Sequence, residues 1–153
     1  MEPEPAGKAD FDAIVACLPM FWGERDPVEL HHPMFVHEFG DGALVIRDEQ
    51  SEVAAYLFGF FQSERRLAYV HIVAVREDCR GQGLARSLYE SFRRVALERG
   101  CEQIKAIARP DNAASITFHR DMGMEAVEVP DYSGPGRARV VFSARLTSPP
   151  AQS

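Results

Sequence analysis

The sequence predicts one mixed α/β domain, antiparallel at first and with a β-α-β segment in its second half. Three observations carry that prediction. Leu67–Val75 (LAYVHIVAV) is an apolar, β-rich run that suits a buried central strand. In Gly83–Arg99 the apolar residues Leu84, Leu88, Phe92, Val95 and Ala96 recur at helical spacing, while Arg86, Glu90, Arg93, Arg94 and Glu98 lie elsewhere. The order of elements along the whole chain reads α-α-β-β-β-α-β-α-β-β, which alternates in the manner of a mixed sheet with helical crossovers.

Each element has a local cause. Met1–Gly7 and Thr147–Ser153 are Pro-rich and read as loose ends around an ordered core of about residues 8–146. Asp10 is placed to cap a helix through Leu18, with Phe11, Ile14, Val15 and Leu18 on one face and Pro19 just beyond. A second helical stretch covers Val28–Phe39, interrupted by Pro33, and Gly40-Asp41-Gly42 is a turn. Ala43–Ile46 and Val53–Phe61 read as a hairpin joined by the polar stretch Arg47–Glu52. The charged loop Arg76–Cys79 ends the central strand, and Gly100 stops the long helix. Gln103–Ala108 is a strand broken by Pro110, and Asn112 caps a helix that runs to Met122 and closes with Gly123. Met124–Val129 and Arg139–Leu146 are the last strands, joined by the turn-rich loop Pro130–Arg137.

Composition narrows the function classes. A chain of 153 residues that is 46% hydrophobic and 26% charged is one ordinary globular domain. The net charge of −6 argues against wholesale nucleic-acid binding, which needs a basic footprint. That charge is uneven. Residues 1–64 hold three basic residues against thirteen acids, whereas residues 76–109 hold eight against five. Two ligands of opposite charge would explain the split, and so would chance clustering on a solvated surface. Cys17, Cys79 and Cys101 are too few and too scattered for a disulfide framework, and no Cys/His spacing suits a metal. The N-terminus lacks the basic and apolar regions of a signal peptide, and no apolar run approaches the roughly 20 residues of a membrane helix. The expectation is a cytoplasmic protein with no metal, no membrane partner and no nucleic-acid partner.

The sharpest motif is Arg80-Gly81-Gln82-Gly83-Leu84-Ala85, set between the central strand and the start of the long helix. Glycines there let backbone approach a ligand closely, and the first helical N–H groups carry the positive end of the helix dipole. Such a loop suits a pyrophosphate. A P-loop would need a Gly-Lys pair followed by Ser or Thr, which the sequence lacks. A dinucleotide fingerprint would need Gly or Ala where Arg86 stands.

At this point the chain resembles the GNAT superfamily of N-acetyltransferases, whose acyl-CoA signature is [RQ]-x-x-G-x-[GA]. Arg80, Gly83 and Ala85 occupy its fixed positions. The segment Asn112–Met124 is similar to that family's second motif, an Asn-started helix closing with Gly and an apolar residue, and DYSGPGRARVVFSARL also looks like the ending of many bacterial members. The resemblance implies a central mixed, mostly antiparallel sheet flanked by helices, with a splayed strand at the CoA site. It further implies that Val73, Ala74 and Val75 offer backbone groups to the pantetheine and thioester, and that Arg80, Gly81, Gln82, Gly83, Leu84, Ala85 and Arg86 hold the pyrophosphate. Asn112 would reach the pantetheine arm with help from Ser115, although capping alone explains Asn112.

His119 stands where many members of the family have a Tyr that protonates the departing thiolate, so the resemblance makes it the candidate general acid, against a histidine that only packs. The central strand has no carboxylate. By alternation Tyr69 and His71 share a face with Val73, which makes His71 a candidate base against a core histidine. Trp22, His31, His32 and Glu38 lie in the segment where this fold builds its acceptor pocket. The expected reaction is acetyl transfer from acetyl-CoA to a primary amine within a ternary complex, since no cysteine sits in a reactive setting. The acidic first third favours a cationic amine. Two rivals stay open, a non-catalytic CoA-binding module of the same fold and a nucleotide-binding α/β domain, and within the enzyme class an unusual acyl donor or an O-acceptor is a third alternative. Edge strands in this fold often pair between subunits, so a homodimer is also an expectation.

Overall fold

The computed structural model describes residues 1–25 and 27–147. Its elements are β1 (Glu4–Pro5), α1 (Lys8–Ala16), α2 (Leu18–Trp22), α3 (Met34–His37), β2 (Ala43–Arg47), β3 (Val53–Gln62), β4 (Leu67–Val75), α4 (Leu84–Glu98), β5 (Gln103–Ala108), α5 (Ala113–Asp121), β6 (Glu125–Val129) and β7 (Arg139–Arg145). Short 3-10 turns occupy Val28–Leu30, Gly40–Gly42 and Glu77–Cys79. The strands form one sheet in the order β1-β2-β3-β4-β5-β7-β6. The pairs β1–β2, β2–β3, β5–β7 and β6–β7 are antiparallel, and β4–β5 is parallel. The mixed, mostly antiparallel sheet expected from the sequence is present.

Two compact units divide the chain. The first comprises Met1–Phe60 and His71–Val95. Its core gathers Phe11 and Ile14 of α1, Phe21 of α2, Phe35 of α3, and Val45, Tyr56, Phe58 and Ile72 of the strands. The second takes in Phe61–Val70 and the chain from Ala96 on. Its buried side chains include Ile104, Ala106, Met124, Val140 and Phe142. The β4–β5 ladder runs from Leu67↔Gln103 to Val70↔Ala106, and β4 continues to Val75.

Several boundaries differ from expectation for physical reasons. The opening residues hold a strand, since Glu4 and Pro5 pair with Val45 and Leu44. Proline is tolerated there because β1 is an edge strand. Asp10 is not the cap of α1. Gly7 is, and Asp10 sits three residues in, accepting from the Gly7 N–H at 2.9 Å and pairing with Arg47 Nη1 at 2.8 Å. Pro19 does not end the helical stretch, because it lies in the first turn of α2, where its missing N–H has no partner to lose. Between Val28 and Phe39 only a 3-10 turn and the four-residue α3 form around Pro33. Asn112 caps α5 as expected, its Oδ1 accepting from the Ser115 N–H at 3.1 Å. Of the C-terminal tail Thr147–Ser153, all but Thr147 lies outside the described residues. Among the described residues no helix is long and apolar enough to cross a membrane.

Candidate functional site

In the first unit, the end of β4, the turn that follows and the head of α4 bring Val73, Ala74, Val75 and Arg80 through Arg86 together in one stretch. Gly81 and Gly83 have φ of +78° and +76°, the left-handed region that side chains disfavour. A Cβ built on either would meet no atom within 4 Å, so the backbone conformation rather than crowding requires glycine here. Gly83 O accepts from the Ser87 N–H at 3.0 Å and opens α4. The N–H groups of Leu84, Ala85 and Arg86 therefore have no acceptor inside the helix. Arg86 is exposed beside them.

The Arg80 side chain is turned toward the protein. Its Nη2 donates to Phe21 O of α2 at 2.9 Å and its Nε to Val75 O at 3.4 Å. Among the described residues these contacts engage two of the five N–H donors of the guanidinium. The turn before it is held by Arg76, which donates to Asp48 Oδ2 at 2.7 Å, to Asp78 Oδ1 at 2.7 Å and to Val53 O at 3.0 Å. Asp48 in turn accepts from the N–H groups of Gln50 and Glu52, so one arginine ties the β2–β3 turn to the strand end that precedes the loop. The paired arginine holds the Asp48 and Asp78 carboxyls below their ordinary range. Nothing local to Arg76 singles it out, because its partner Asp48 lies 28 residues away.

His71 lies on the half-buried face of β4, with Tyr69, Val73 and Val75. Its ring stacks on Phe35, with centroids 4.4 Å apart and planes 19° apart. Nε2 lies 2.7 Å from Leu30 O. A carbonyl only accepts, so the ring proton is on Nε2 and Nδ1 carries the lone pair. Burial lowers the His71 pKa, outweighing the Leu30 hydrogen bond, and so favours the neutral ring.

His31 is different. Its Nδ1 donates to Pro27 O at 2.8 Å and its Nε2 accepts from Tyr56 Oη at 2.7 Å, so both nitrogens are engaged. Tyr56 Oη also accepts from Trp22 Nε1 at 2.8 Å. Trp22 and His31, expected near the acceptor, are thus joined through a fully buried tyrosine. The signal that could have found this network is Tyr56 itself, a hydroxyl inside the apolar strand VAAYLFGFF that must find a partner when buried. His32 Nδ1 accepts from the Met34 N–H at 3.1 Å at the start of α3, and Glu38 is exposed at its end.

The second unit brings Asn112, Ser115 and His119 together on α5. His119 is 3% exposed and stacks on Phe142 with centroids 4.0 Å apart. Its Nδ1 donates to Ser115 O at 2.7 Å. Burial is the main cause of a lowered His119 pKa, which disfavours a standing imidazolium. Burial likewise pushes the Cys79 and Cys101 thiols up, away from the thiolate form that a covalent acyl-enzyme would need. Among the described residues no group of three or more His, Cys, Asp or Glu side chains could hold a metal ion.

Comparison with known proteins gives a consistent outcome. The profile of the Acetyltransferase (GNAT) family matches residues 11–124. An acetyltransferase of Pectobacterium atrosepticum is 27% identical over 84 residues, 55% of this chain and 58% of that protein. The chain spans between 18% and 58% of the length of such curated relatives. Among solved structures, Ard1 from Thermoplasma volcanium has a TM-score of 0.77 at 17% identity, covering 95% of this chain and 97% of its own. The NatC complex bound to Gag peptide and CoA gives a TM-score of 0.77 at 18% identity, covering 96% of this chain and 100% of the matched one. At these identities the structural likeness speaks for the fold.

Proposed function

Because the chain belongs to the Acetyltransferase (GNAT) family, we propose that it transfers an acetyl group from acetyl-CoA to a primary amine by direct attack within a ternary complex. The observation that carries this reading is the loop Arg80–Arg86, with its two left-handed glycines, open space where a Cβ would stand, and three N–H groups with no acceptor inside the 15-residue helix they open. Backbone donors at a helix N-terminus recognise a pyrophosphate without a basic side chain, which fits an Arg80 already engaged with Phe21 and Val75. Arg86 adds the charge that such an anion favours. That a CoA complex exists for a protein of the same fold supports the choice of donor.

In this reading the β4 backbone beyond Val70, at Val73, Ala74 and Val75, hydrogen-bonds the pantetheine and the thioester carbonyl. An N–H directed at that carbonyl stabilises the oxyanion as the tetrahedral intermediate forms. The amine nitrogen bonds to the carbonyl carbon, the carbon–sulfur bond breaks, and CoA leaves as thiolate. His71 takes the proton from the amine through Nδ1, the nitrogen left basic by the Leu30 contact. The buried neutral ring of His119 serves α5 as a hydrogen-bonding and stacking group, and the thiolate takes its proton from the medium or from the protonated base. For Asn112 and Ser115 a pantetheine contact rests on the family resemblance alone. The acidic first third, with Glu24, Glu29, Glu38 and Asp41 exposed around the segment that meets His71, supports a cationic acceptor.

Release of free thiol from acetyl-CoA across a panel of cationic, neutral and acidic amines tests the proposal. Thiol release with cationic amines is the expected result. Stabilisation by CoA in a melting assay with no release on any amine points instead to a CoA-binding module. Stronger stabilisation by ATP or NAD than by CoA removes the phosphate-loop assignment altogether.

A further inference from the structure

The peptide unit between Leu30 and His31 is pinned at both ends. Its carbonyl, Leu30 O, meets His71 Nε2 at 2.7 Å, and its N–H, from His31, donates to Val28 O at 3.0 Å. The unit is planar and rigid, so the direction of the carbonyl follows that of the N–H. What holds the N–H is the turn Pro27–His31, closed by the Leu30 N–H on Pro27 O at 2.9 Å and braced by the imidazole of His31, whose Nδ1–H reaches back to the same Pro27 O at 2.8 Å. The ring is in turn moored to the sheet. Its Nε2 accepts from Tyr56 Oη, which is fully buried on β3 and itself accepts from Trp22 Nε1. Every proton in the series Trp22, Tyr56, His31, Pro27 has one acceptor, so the series has a single arrangement with His31 neutral. It ends one peptide unit away from the carbonyl that decides which nitrogen of His71 is basic.

We propose that His31 is a positioning residue for His71: by bracing the Pro27–His31 turn from its side chain it aims Leu30 O at His71 Nε2 and so keeps Nδ1 the basic nitrogen. This rests on the reading of His71 as the base, and it adds a role for a histidine whose own two nitrogens are engaged by the protein. Without the carbonyl, a neutral imidazole exchanges its proton between the two nitrogens, and a fraction of molecules carries hydrogen where the amine must deliver one.

Two substitutions separate the two contacts of His31. Asn places a side-chain amide near the position of Nδ1 and can still donate to Pro27 O, whereas Gln places its amide near the position of Nε2 and keeps only the Tyr56 contact. The experiment reads the histidine ring nitrogens of the full chain by long-range 1H–15N correlation, with the His71 signals assigned by their loss in His71→Gln. In parallel it measures kcat and the KM for acetyl-CoA on the best amine of the screen. The expected result is an Nε2–H tautomer for His71 in the parent, a mixed tautomer in His31→Gln with kcat lowered about 10-fold and KM for acetyl-CoA unchanged, and smaller changes in His31→Asn. An unaltered His71 tautomer in His31→Gln overturns the proposal, as do equal losses in the two variants. Should His31→Gln fail to fold, the parent spectrum still decides, because a His71 protonated on Nδ1 contradicts the proposed geometry. Retention of kcat in His71→Gln removes the base reading and with it the catalytic sense of the contact, while leaving the tautomer result intact, so the two failures are distinguishable.

Discussion

Replacing Gly83 by Ala separates two effects that usually act together, backbone strain and obstruction of a ligand. Gly83 has φ of +76° with nothing within 4 Å of an added Cβ, so Ala there is strained but meets no protein atom. A left-handed non-glycine residue costs about 1–2 kcal/mol. For a chain of this size that is a Tm decrease of about 2–8 °C. Gly100, at the end of α4, has φ of +79° and equally open space, so Gly100→Ala carries the same strain away from the Arg80–Arg86 loop. Both variants should lose similar stability in urea or thermal unfolding. Only Gly83→Ala puts a methyl group among the N–H donors at the head of α4. Loss of one hydrogen bond to a charged group costs about 1.5–3 kcal/mol, or about 10- to 150-fold in Kd for CoA by calorimetry. Unchanged CoA affinity in Gly83→Ala refutes the loop assignment. An equal loss in Gly100→Ala shows that strain alone weakens binding.

Other predictions follow from the same contacts. Arg76→Lys keeps the charge but cannot reach Asp48, Asp78 and Val53 together, so both the Tm and the affinity for CoA should fall; a variant with parental values shows that the β2–β3 turn does not support the loop. His119→Phe keeps an aromatic ring against Phe142 and removes the bond to Ser115 O, which should lower stability by about 1 kcal/mol with kcat reduced less than 10-fold. A loss in kcat above 100-fold at unchanged KM would make His119 the proton donor after all. Burial lowers the pKa of His31, His71 and His119 below the ordinary 6.5. As pH falls through about 6.5 the unfolded chain takes up these protons and the folded rings do not, so stability is fully present above that pH and declines below it. For His119, the most buried of the three, the slope is at most about 1.4 kcal/mol per pH unit. Urea midpoints at pH 7.5 and 5.5 measure it, and equal midpoints contradict neutral buried rings.

Most of the architecture was legible in the sequence because it rests on local causes. Leu67–Val75 and Gln103–Ala108 have the predicted bounds, since an apolar β-rich run ended by charge and an alternating strand ended by proline leave little choice. The cap at Asn112 and the glycine turn at Gly81 and Gly83 could be read for the same reason, as a cap or a glycine pair acts within a few residues of itself. Local reading failed where a distant partner decides. Glu4–Pro5 became a strand because β2 offered an edge, and Asp10 moved into the first turn of α1 with Arg47 as its ion partner. Only the tertiary structure turned Arg80 toward Phe21, gave Arg76 its two carboxylates, and engaged both nitrogens of His31. The chemistry of a histidine depends on which nitrogen holds the proton. That depends on the direction of one carbonyl, and a carbonyl contributed from 41 residues away, as Leu30 is to His71, leaves no pattern in the sequence around it.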